Sequence, residues 1–166
     1  MEKRVMSHFG WEKKVMGPSP SIKDKVQLST ITPNFVVARY KNGKIIKGST
    51  YNFNPHGEVF HIVPREKEAE KIFEVSFSEL KAVFFVKSLE GRRDHVPSKI
   101  VFEEDEKTKE RTTVKVIFLD GETMVGTTQV YNIERNGFFI HPIDEDCNNL
   151  RVFVMANAIK HLEVRK

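Results

Sequence analysis

The residues best suited to chemistry lie in the run Asp144-Glu145-Asp146-Cys147-Asn148-Asn149, where oxygen-bearing side chains crowd together as at the start of a calcium loop. An EF-hand loop needs a glycine at its sixth place, to turn sharply, and a bidentate glutamate at its twelfth. Those places hold Asn149 and Met155, so the run reads as a solvated acidic loop. Cys147 stands among carboxylates, which favour the protonated, unreactive thiol. The six histidines, His8, His56, His61, His95, His141 and His161, show neither HExxH nor any other metal-ligand spacing. P-loop, GxSxG and dinucleotide fingerprints are absent from the sequence. No catalytic residue, metal ligand or cofactor is expected, and the protein is not expected to be an enzyme.

Recognition of nucleic acid is a different chemistry, which needs cations against phosphates and aromatic faces against bases. Arg39, Lys41, Lys44 and Lys47 could supply the first, and Tyr51 and Phe53 the second. Corresponding positions of a later stretch, Ile117, Leu119, Glu122 and Val125, carry none of that positive charge. The formal net charge of +4 is accordingly uneven: nine Lys/Arg stand against six acids over 35–88, but six against seven over 113–166. A mildly basic face is expected, without a polybasic stripe.

Such residues need a scaffold, and its plan occurs twice. Val36 to Pro64 reads VVARYKNGKIIKGSTYNFNPHGEVFHIVP, and Val114 to Pro142 reads VKVIFLDGETMVGTTQVYNIERNGFFIHP. Set together without a gap, Gly43 falls on Gly121, Gly48 on Gly126, Asn54 on Asn132, Phe60 on Phe138 and Pro64 on Pro142. Alternating apolar residues ending in Asn-Gly or Asp-Gly predict hairpins with type I′ turns. A glycine inside the second strand predicts a bend or a close backbone approach. Third strands should end at the two prolines. Fourth strands are expected around Lys71-Ile72-Phe73 and Arg151-Val152-Phe153. The fifth strands differ: His161-Leu162-Glu163-Val164 alternates, whereas Ala82-Val83-Phe84-Phe85-Val86 is apolar on both faces. Something must cover Ala82, Phe84 and Val86. Ile117 and Leu119, apolar where the strand should look outward, complete the expected barrel-packing or protein-interaction face.

A strand, an Asp-Gly or Asn-Gly turn, a second glycine, a third strand and an apolar strand leading to a turn with Asn and Ile resemble the Sm-like members of the small SH3-like barrels. Val114, Val116, Phe118, Asp120, Gly121, Gly126, Val152, Val154, Asn157 and Ile159 carry that resemblance. The tandem arrangement also resembles an uncharacterised group of bacterial proteins. The resemblance implies an all-β chain of two tandem five-stranded SH3/Sm-like small barrels, with ring assembly and RNA binding. Its RNA-contacting positions do not carry over, because Met155-Ala156 and Ser76-Phe77 stand where the Sm pattern has Arg-Gly. Cyclic-dinucleotide receptors of the PilZ type are matched only by Arg92-Arg93, without the accompanying DxSxxG element.

The expected organisation is an N-terminal arm, partly helical or irregular, over 1–34; a first small barrel over 35–88; a linker with a β-hairpin over 89–112; and a second barrel over 113–166. One cysteine allows no intramolecular disulfide, and no apolar run suits a signal peptide or a membrane span. A cytoplasmic location, away from membranes, is expected. The expected function is a non-catalytic binding or regulatory module, with a protein or peptide partner or self-association. The alternative is an Sm-like RNA-binding protein that uses the basic first repeat.

Overall fold

The structure is a computed structural model and describes residues 32–65, 71–95 and 111–165. Most of the arm expected over 1–34 and most of the hairpin expected within 89–112 lie outside the described residues. The described residues form ten strands, most of them alternating apolar and polar: β1 (Asn34–Tyr40), β2 (Ile45–Thr50), β3 (Val59–Ile62), β4 (Phe73–Ser76), β5 (Leu80–Val86), β6 (Thr112–Phe118), β7 (Thr123–Thr128), β8 (Gly137–Pro142), β9 (Asn149–Met155) and β10 (Ile159–Arg165). Short 3-10 turns, Phe77–Glu79 and Ala156–Ala158, lead into β5 and β10. No α-helix occurs among the described residues, so the fold is all-β. β9 extends beyond the triplet expected for its fourth strand on both sides, whereas β4 begins only at Phe73, leaving Lys71 and Ile72 before the strand.

The two leading hairpins form where the sequence predicts them, but their turns are of another kind. A type I′ turn requires positive φ at both central residues, and here Gly43 (φ 88°) and Gly121 (φ 87°) have it while Asn42 and Asp120 do not. Gly43 N–H donates to Tyr40 O at 3.1 Å, and Tyr40 N–H to Lys44 O at 2.9 Å. Gly121 with Phe118, and Phe118 with Glu122, repeat that pair of bonds, each at 2.9 Å. The loops are therefore three-residue turns closed by a left-handed glycine. Asn42 and Asp120 each accept the N–H two residues on through Oδ1, at 3.0 Å, which explains why a short polar side chain precedes each glycine.

Strand pairing runs alike in the two halves. β1 pairs with β2 and β5, and β6 with β7 and β10; β3 pairs with β4, and β8 with β9. Val36 lies opposite Gly48, and Val114 opposite Gly126. Neighbouring chain passes close to both glycines: a Cβ on Gly48 would meet Val63 O at 2.3 Å, and one on Gly126 would meet Ile140 Cγ2 at 2.3 Å. The halves differ in how firmly the second strand grips the third. β2 touches the residue after β3 through the single bridge Ser49↔Val63, whereas β7 and β8 pair at Gly126↔Pro142 and Thr127↔His141.

The two halves join through β5 and β9, which pair as Ala82↔Val154, Val83↔Phe153 and Phe84↔Val152. An eight-stranded antiparallel sheet results, in the order β10-β6-β7-β8-β9-β5-β1-β2, with β3 and β4 as a separate pair. Neither sheet closes on itself, so open sheets stand where closed barrels were expected. Directly opposed residues share a face, and the shared sheet carries a core on each. One face holds Val36, Ala38, Val83 and Phe85 together with Phe153, under Phe53, Phe60 and Phe77. The other holds Val152, Val154, Phe138 and Ile140 with Val114, Val116 and Phe118. β5 and β9 sit where these cores overlap. That is why every residue of β5, and Val152 to Met155 of β9, is buried on both faces.

Candidate functional site

The chain folds its turns against each other where β5 begins and β9 ends. Phe77 N–H donates to Glu58 O at 3.0 Å in the first half, and Ala156 N–H to Asn136 O at 2.9 Å in the second. Asn136 then reaches across, its Nδ2 donating to Gly57 O at 3.1 Å. Between them runs an open groove of about 590 Å³, with Glu58, Ser76 and Ser78 on the first half and Ile133 to Asn136 and Asn157 on the second. Buried Phe77 and Met155 also contribute to its lining. Ile133 stands 62% exposed there, and Ser76 Oγ and Ser78 Oγ share a hydrogen bond of 2.9 Å. The arrangement combines an exposed branched side chain with hydroxyl, amide and charged groups, which suits an extended polar ligand with an apolar anchor.

A charged cluster also ties the two halves together near the start of β5. Lys81, the one buried cation among the described residues, places its Nζ 4.6 Å from the centre of the Phe118 ring and 2.6 Å from Asp120 Oδ2, and also donates to Glu122. The Lys81 hydrogen bond, followed by the Glu122 N–H, holds the Asp120 carboxyl below the usual carboxylate range. Glu122 also receives Arg39 Nη1 at 3.1 Å. The same guanidinium covers the Phe84 ring, 4.7 Å from its centre.

The residues expected at a packing face thus separate. Ala82, Phe84 and Val86 are buried, opposite Val154, Val152 and Asn149 of β9, so the junction is edge to edge rather than face to face. Ile117 lies instead opposite His161 and Thr123, and Leu119 is 63% exposed at the turn, its N–H donating to Ala158 O. The residues expected to meet nucleic acid are mostly engaged. Arg39 is paired as above, Lys41 Nζ donates to Ser78 O at 2.8 Å, and Lys44 Nζ lies 5.2 Å from the centre of the Tyr40 ring. Phe53 packs inward, with Phe60, Phe77, Phe85 and Phe153 around it at ring separations of 4.9 to 5.5 Å. Lys47 and Tyr51 remain exposed.

The acidic loop is strapped down by the segment after β5. Lys87 Nζ donates to Glu145 O, Arg92 Nη1 to Asp146 O, both at 2.7 Å, and His95 Nε2 lies 2.7 Å from Asp144 Oδ2. Ser88 and Asn148 exchange two hydrogen bonds. Sequence reasoning missed Lys81, Ile133 and Asn136. It also missed the role of β9, although Val152-Phe153-Val154-Met155 is a second run without alternation and signals the strand that meets Ala82 to Val86.

Among the described residues no helix is long and apolar enough to cross a membrane, and no group of three His, Cys, Asp or Glu could hold a metal ion. No curated protein and no solved structure matches the chain. Residues 32–166 match the model of a family of unknown function, DUF6982, and the chain belongs to that family.

Proposed function

We propose that this protein is a non-catalytic binding module, built from two SH3/Sm-like five-stranded units joined edge to edge, that takes an extended peptide segment of a partner protein in the groove between its halves. The observation that carries this reading is the exposure of Ile133 within a trough that also presents hydroxyl, amide and charged side chains. An extended segment offers a backbone donor or acceptor at each residue and a side chain at alternate positions to an anchor. The 3-10 turns and the Asn136 crossing hold both walls, so little ordering remains for binding to pay for. The reading as non-catalytic rests on the lack of a catalytic motif in the sequence, and a cytoplasmic setting accords with its single cysteine.

The RNA-binding alternative draws on the basic first half, but Arg39, Lys41 and Phe53 are already committed within the fold. Selection from a displayed random-peptide library, followed by fluorescence anisotropy of the enriched sequence, tests the groove. Binding in the micromolar range that Ile133→Asp weakens by at least about tenfold supports it. An enriched peptide that binds Ile133→Asp unchanged, or a library that yields none, sinks it. Single-stranded RNA bound more tightly, with a steep loss in salt, would favour the alternative.

A further inference from the structure

Away from the groove, one face of the sheet gathers His141, Arg151 and Arg165, with Glu163 beside Arg165. β7 pairs with β8 at Thr127↔His141, and Arg151 of β9 lies one step beyond the Ile140↔Val152 pair, so His141 and Arg151 are neighbours on one face. The Arg151 guanidinium is held 4.5 Å from the centre of the Phe85 ring and 4.6 Å from that of Phe139. Arg111, just before β6, stands two residues from Thr113, which pairs with Thr127 opposite His141, so it falls on the same face. Burial, then Arg111, then Arg151, push the His141 pKa below its ordinary value. Further along the face, Arg165 of β10 lies opposite Thr113, and it binds Glu163 at 3.0 Å. Among the described residues no carboxylate and no hydrogen bond engages the guanidinium of Arg111 or of Arg151.

We propose that Arg111, His141 and Arg151 form a binding site for the phosphate group of a small ligand. Two ring faces fix the plane of the Arg151 guanidinium, which leaves its N–H edge free and pre-oriented for paired hydrogen bonds to phosphate oxygens. Arg111 adds charge, and His141, whose ring already bonds the Thr127 backbone, takes a proton as the anion arrives and so gains a donor for it. The two arginines that disfavour the imidazolium are offset by a bound anion, so occupancy draws the His141 pKa back upward. This site is independent of the peptide groove and stands or falls by itself.

The test uses the full chain and inorganic pyrophosphate at low, constant ionic strength. Calorimetry gives the affinity, and the His141 imidazole shifts in a pH titration by NMR give its pKa with and without pyrophosphate. The expected result is saturable binding, a raised His141 pKa in the complex, and affinity lowered about tenfold by Arg111→Gln or by Arg151→Gln. Arg151→Lys should fall between, since it keeps the charge and loses the planar fork. Arg111→Gln leaves the aromatic contacts of Arg151 intact, so its loss of affinity cannot come from disturbed packing. A single-stranded oligonucleotide without terminal phosphates, run in parallel, separates a phosphomonoester-type site from one that prefers phosphodiesters; preference for the oligonucleotide overturns the small-ligand assignment. No binding, wild-type affinity in either glutamine variant, or an unmoved His141 pKa overturns the site.

Discussion

Lys81 keeps only 8% of its side chain in solvent yet holds its charge against Asp120, Glu122 and the Phe118 ring. Burying an ammonium is tolerable only where such partners replace water. Both carboxylates stay about half exposed, which limits what the contact contributes. Lys81→Met keeps the aliphatic stem and removes the charge, and should cost about 1–2 kcal/mol of unfolding free energy in urea at neutral pH. The acid dependence is the sharper signature. Because the Asp120 pKa is lower in the folded chain, its stabilising effect is present above the unfolded carboxylate pKa and fades as pH falls through the folded value. Lys81→Met should flatten that acid limb; a variant that loses stability in acid as steeply as the parent would show that Lys81 does not hold Asp120. Sequence reading placed Arg39 with nucleic acid and Phe84 with a packing face, and the fold makes them each other's contact. Charge and hydropathy rank residues singly, so a cation seated on a buried ring escapes both.

Among the elements, hairpins were the most legible, because alternation and an Asn-Gly or Asp-Gly pair are local signals. Their turn geometry was not, since it depends on whether the residue before glycine adopts positive φ. The mid-strand glycines were legible in purpose, and the structure supplies the neighbour. A Cβ at Gly126 would lie 2.3 Å from Ile140 Cγ2 and 2.4 Å from His141 O. The isoleucine could turn aside, but the carbonyl belongs to a paired strand and cannot. Gly126→Ala should therefore destabilise the chain by about 3 kcal/mol or more through forced overpacking. Gly121→Ala meets open space and bears only the strain of a left-handed residue, about 1 kcal/mol. Equal midpoints for the two variants in chemical denaturation would mean that β7 and β8 do not approach as closely as the register indicates.

At the scale of the molecule, one asymmetry governs how the halves meet. β5 and β9 are apolar on both faces and pair with each other, while β10 and β4, the strands in the matching positions, each have an edge that no other described strand pairs with. Aligning the halves sets His161 against Ala82, Glu163 against Phe84 and Arg165 against Val86, and β4 has only four residues with Glu74 exposed. Short edges and charges along them are how sheets avoid joining further copies. Which strand would find which was not legible in Ala82 to Val86 alone, because a doubly apolar strand announces a cover without naming it. The junction is readable only when Val152 to Met155 is recognised as its complement. If edge chemistry limits the assembly, the triple variant His161→Ala, Glu163→Phe, Arg165→Val should turn β10 into a second β5, able to pair with the β4 edge of another chain. Light scattering should then find the parent at the 19.2 kDa of one chain and the variant at a mass that climbs with concentration. A parent already heavier than one chain, or a variant that stays single when folded, would move control of assembly away from these edge charges.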